Sequence, residues 1–101
     1  MNKIILISPF QAIGVFKQLG FETLISANKE IIETYIHKNA LKTKVIVYDI
    51  SLKEIINPFK EQFKTSEFPI FMALAFNENQ KLESLNEMHR QIENAVGVKI
   101  E

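Results

Sequence analysis

The sequence predicts an α/β fold: a small four-stranded parallel sheet with helices on both faces and one surplus helix at the C-terminus. Three observations carry this. Short β-branched runs alternate with stretches whose apolar residues recur at helical spacing. The runs are apolar at nearly every position, the pattern of strands covered on both faces. Each link between consecutive strands is long enough to hold a helix, and right-handed crossovers then make the strands parallel. A strand order of 2-1-3-4 is expected, which places the first and third strands at the centre.

Taken in order, Lys3 to Ile7 is the first strand. Ser8-Pro9-Phe10-Gln11 follows as a helix start, with a hydroxyl cap, proline at the first helical position and Gln at the third. Ile13, Phe16 and Leu19 supply a buried face for a helix over residues 9–19, and Gly20 ends it. Phe21 to Ile25 is the second strand. Ser26-Ala27-Asn28 then caps a helix whose inward stripe is Ile32, Tyr35, Ile36 and Ala40, and Lys42-Thr43-Lys44 closes it. Val45 to Asp49 is the third strand.

Ser51 and Glu54 have capping-box spacing ahead of Leu52, Ile55, Ile56, Phe59 and Phe63, which share one helical face. Pro58 falls inside that pattern and removes the hydrogen bond to the carbonyl of Glu54. A kink is expected there, with Asn57 recapping the second half. Pro69 to Ala75 is a fourth strand, expected to be covered on both faces, and 77–80 is a polar loop. Residues 1–76 thus form an α/β body and 77–101 a helix and tail, together one structural unit.

The chain has 101 residues, of which 47% are apolar and 24% charged, ordinary values for one globular domain. Twelve basic and twelve acidic side chains leave a formal net charge of zero, so composition offers no cationic footprint for nucleic acid or an anionic bilayer. The absence of cysteine excludes disulfides and thiolate chemistry and suits a reducing compartment. Ile4 to Ile7 is too short for a signal segment or a membrane span, so a cytoplasmic location without membrane insertion is expected.

The chemistry-bearing motifs are few. The three glycines form no phosphate-cradling loop, the serines occupy caps or polar positions, and His37 and His89 lack the spaced partners of a metal motif. No cofactor and no metal is expected. Asp49 stands apart, because a carboxylate ending a central strand lies where doubly wound sheets of the flavodoxin and receiver kind handle ligands and phosphoryl groups. Phospho-acceptance would need a divalent cation, held in part by a second carboxylate at the end of the first strand. That position holds Ser8-Pro9. The competing reading of Asp49 is a side chain that caps the turn into the next helix.

The surplus helix, Lys81 to Val96, carries Leu82, Leu85, His89, Ile92 and Val96 at spacings of 3, 4, 3 and 4, a heptad seam. This stripe either packs on the chain's own sheet or docks on the helices of another chain, since about two heptads do not make a free-standing coiled coil. A polar residue such as His89 can fix register with a specific partner, and those five residues are the candidate partner-binding set.

Three further stretches carry a resemblance across the chain. With Phe16-Lys17-Gln18-Leu19-Gly20 after the first strand, Pro69-Ile70-Phe71-Met72-Ala73-Leu74 as the fourth, and Ile92-Glu93-Asn94-Ala95-Val96-Gly97 near the end, it resembles the F subunit of the V-type (A/V-type) ATP synthases and ATPases. The resemblance implies a non-catalytic central-stalk protein that sits on the coiled-coil D subunit and turns with it between the catalytic A/B hexamer and the membrane ring. It also implies that the C-terminal helix lies along that coiled coil.

Overall fold

The computed structural model describes residues 3–79 and 81–96. β1 (Lys3–Ser8), β2 (Glu22–Ile25), β3 (Thr43–Asp49) and β4 (Ile70–Leu74) form one parallel sheet in the order β2-β1-β3-β4. Ile5 to Ser8 pair with Glu22 to Ile25, Ile4 to Ile7 with Val45 to Tyr48, and Val45 to Asp49 with Ile70 to Leu74. The expected fold class and strand order are both met.

Alternation along the central strands divides the core into two layers. On one face Ile4, Leu6, Val45 and Val47 meet Ile13 and Phe16, with Phe21, Phe76, Leu85 and Ile92. On the other, Ile5, Ile7, Ile46 and Tyr48 meet Ile32 and Ile36 of α1 (Lys29–Asn39), together with Leu52 and with Ile56 and Phe59 of α2 (Lys53–Gln62). The remaining helix, α3 (Leu82–Val96), lies on the first face through Leu85 and Ile92.

The first connection departs from expectation. Residues 11–19 form a 3₁₀ helix, preceded by an extended Phe10 whose side chain makes no cap. Ser8 cannot cap it, because it is still in the ladder: it pairs with Ile25 and its carbonyl accepts the Ser26 N–H at 3.0 Å. The 3₁₀ form follows from the apolar spacing. Ile13, Phe16 and Leu19 recur every third residue, and with three residues per turn such side chains eclipse in a single row against the sheet. Gly20 ends the segment at φ 92°, a left-handed conformation suited to glycine, and its N–H meets the carbonyls of Phe16 and Lys17.

Asn28 caps α1 as read, accepting the N–H of Ile31 through its side chain at 3.0 Å. The cap before α2 is different. Asp49, not Ser51, accepts the leading N–H, and a single 3₁₀ turn at Ile50–Leu52 precedes the α-helix. The helix then runs through Pro58 from Lys53 to Gln62, without recapping at Asn57. Pro58 and Glu54 are both exposed, so the carbonyl that loses its donor lies on the solvent side, where water can satisfy it. β4 also corrects the reading. It is an edge strand with Ile70 40% exposed and Ala73 exposed, so its two faces are only partly covered.

Phe16 is fully buried, with its ring 5.2 Å from that of Phe21 and edge-on to Phe76 at 6.4 Å. Phe16→Ala therefore leaves a cavity between the 3₁₀ helix, β2 and the chain after β4. A loss of about 3–5 kcal/mol is expected in urea denaturation, against less than about 0.5 kcal/mol for the exposed Gln18→Ala.

Candidate functional site

The two candidate places fall at the carboxyl end of the sheet and on α3. Asp49 closes β3 opposite Leu74 and is 2% exposed. One carboxylate oxygen, Oδ1, accepts the N–H of Phe76 at 2.9 Å. The other accepts the N–H of Ser51 at 2.9 Å and also the Ser51 hydroxyl. The side chain thus joins the end of β3 to the turn before α2 and to the chain leaving β4. Its oxygens point into backbone donors and not toward an incoming group, which is the turn-capping arrangement set against phospho-acceptance above.

At the end of β1, where a companion carboxylate would stand, Ser8 is fully buried and its hydroxyl accepts the Phe10 N–H at 3.2 Å. A carboxylate does reach the chain just beyond it, from a distant part of the sequence. Glu78 Oε1 accepts the N–H of Gln11 at 3.1 Å, which satisfies a free donor at the start of the 3₁₀ helix. Their separation of sixty-seven positions hid this contact from sequence reasoning.

The five seam residues do not share one environment. Leu85 is 5% exposed and Ile92 fully buried, both within the core of the first face. His89 lies between them, its side chain 20% exposed and its ring 5.6 Å from that of Phe21. Its Nδ1 is 3.8 Å from Glu93, and its Nε2 is buried without a hydrogen-bond partner. Leu82 is 60% exposed, and the Val96 side chain lies outside the described part of the helix. The centre of the seam therefore packs at home, because Phe21, Phe76 and the β1 and β3 side chains leave an apolar face that needs cover. Of the candidate partner-binding set, Leu85 and Ile92 are thus already engaged within the chain.

A polar cluster that sequence reasoning missed ties the opposite end of the sheet. Lys3 Nζ meets Glu22 at 3.1 Å and Asn39 Oδ1 at 2.7 Å; Tyr35 donates its hydroxyl to Glu22 at 2.5 Å. Asn39 in turn donates to the Tyr35 carbonyl and accepts the Thr43 hydroxyl through its own carbonyl. The Tyr35 hydrogen bond, with help from Lys3, holds the Glu22 carboxyl below its usual range against the opposing effect of burial. Burial, then the bond to Glu22, pushes the Tyr35 phenol upward. Alternation on β2 gave no hint, since an exposed Glu next to a strand start is ordinary. His37 is elsewhere, edge-on to Phe59 at 5.1 Å. Among the described residues no group of three His, Cys, Asp or Glu comes together as metal ligands would, and no helix is long and apolar enough to cross a membrane.

No family model matches the chain, and no curated protein matches it.

Two outcomes follow from this geometry. Asp49→Ala strands the buried N–H of Phe76, and a loss of about 3 kcal/mol is expected by chemical denaturation, with Asp49→Asn intermediate. Glu22 has a lowered carboxyl, so its contribution to stability is present above pH 4.5 and is lost as the pH falls below that value. Glu22→Gln is expected to flatten this acid limb in a pH series of unfolding midpoints.

Proposed function

We propose that the chain is a non-catalytic central-stalk component of the V-type ATPase kind, which binds a long coiled-coil partner of the D-subunit type through α3. In this reading ATP is hydrolysed or made elsewhere, in the A/B hexamer. The chain helps couple that turnover to ion transport as part of a rotor on the cytoplasmic side of the membrane, peripheral to it and not inserted.

The observation that carries the reading is the uneven burial of the α3 seam. Leu85 and Ile92 anchor the helix to the domain, while Leu82, one heptad step before Leu85, stands 60% exposed at the start of the helix. An apolar seam that runs past its own core offers a second helix a place to continue the packing. The three stretches that resemble the V-type F subunit add support, and so do the sheet order β2-β1-β3-β4 and the engagement of Asp49 in structural hydrogen bonds.

Co-expression with a coiled-coil protein of the D-subunit type tests the reading. A stable complex is expected to co-purify. Leu82→Asp should weaken it at least tenfold, about 1.4 kcal/mol, while leaving the unfolding midpoint of the isolated chain unchanged. Failure to form any complex overturns the proposal.

A further inference from the structure

The outer edge of β4 is apolar and unguarded. β4 ends the sheet, so among the described residues its outward N–H and C=O groups face no further strand. Natural edge strands are commonly guarded by charge, proline or bulges. Ile70-Phe71-Met72-Ala73-Leu74 carries none of these, and its ladder to β3 is in unbroken register. The other edge is guarded: β2 begins with Glu22, held by Lys3 and Tyr35, and continues with Thr23.

We infer that β4 is a self-association edge, at which two copies of the chain pair their β4 strands antiparallel about a two-fold axis at Met72 and so form one eight-stranded sheet. The occupant follows from the strand's own self-complementarity, and the inference is independent of the α3 reading. In this register Phe71 lies opposite the second copy's Ala73, and Ile70 opposite its Leu74. Phe71 packs on the α1–α2 side of the sheet, and Ala73, two residues on, shares that side. Ala73 is exposed and small, which leaves room beside it for the other copy's Phe71. Met72 meets Met72 at the axis, where its flexible side chain adapts to the fit.

The flanking geometry agrees. A cleft of about 270 Å³ opens beside Pro69, Ile70 and Phe71, with Phe63 among its walls. Its rim carries Lys60 and Lys64 with Glu61 and Glu67, two charges of each sign. The whole chain has a formal net charge of zero, so no long-range repulsion keeps two copies apart.

Sedimentation of the full chain from about 1 µM to about 1 mM tests this. The expected result is a mass that rises with concentration from 11.7 kDa toward twice that value. Ala73→Lys should weaken the dimer at least tenfold, and Ile25→Lys on the β2 edge should leave it unchanged. A monomer across the whole range overturns the inference, as does a dimer indifferent to Ala73→Lys. Should that variant fail to fold, amide exchange in the wild-type chain decides. Slower exchange of β4 amides at high than at low concentration supports the pairing, and protection that does not change with concentration overturns it.

Discussion

The carboxyl group of Asp49 holds together the end of β3, the turn before α2 and the chain after β4. A parallel sheet leaves every strand ending at the same side, where the chain must turn back over one face or the other. At the end of β3 that turn is fastened by Ser51, and the same side chain reaches across to the backbone at Phe76. Phe76 then lies against Phe16, on the face that α3 covers. One carboxyl group, buried and supplied with donors from two segments, thus sets where α2 begins and where the chain after β4 enters the core. Burying a carboxylate is costly unless donors surround it, and here the backbone provides them.

This changes the meaning of a residue that stands at the customary place for chemistry. Position at the carboxyl end of a central strand is necessary for such a site but says nothing of what the oxygens face. In this chain they face inward. The polar cluster around Glu22 does the corresponding work at the other end of the sheet, linking β1, β2 and α1, and through Asn39 the start of β3. The sheet is pinned by polar contacts at both ends and packed by apolar ones between.

Much of the architecture was legible because the central strands are so strongly patterned. Ile4 to Ile7 and Val45 to Tyr48 are apolar without interruption, and only strands covered on both faces tolerate that. The helix stripes of α1 and α2 were legible for the same reason. What escaped was whatever depends on contacts between distant residues or on competition between neighbouring caps. Ser8 and Ser51 both look like helix starts in isolation. In the fold one is held by the ladder and the other serves as donor to Asp49, which sits two residues earlier. The seam of α3 was visible, but periodicity does not say which apolar surface it meets. Phe21 and Phe76 settle that for Leu85 and Ile92, and no local pattern announces them as the floor of the helix.

The 3₁₀ helix between β1 and β2 has a further effect, on the economy of the chain. A 3₁₀ helix advances about 2.0 Å per residue against about 1.5 Å for an α-helix, so its nine residues reach roughly 18 Å, near the length of the six-residue β1 that precedes them. An α-helix would need about three more residues to span the same distance. The saving comes with an intolerance of changes in length. Because the row Ile13, Phe16 and Leu19 repeats once per turn, one inserted residue would swing everything after it by a third of a turn and lift Phe16 or Leu19 off the sheet. Homologous chains should therefore vary this connection in residue type while keeping its residue count.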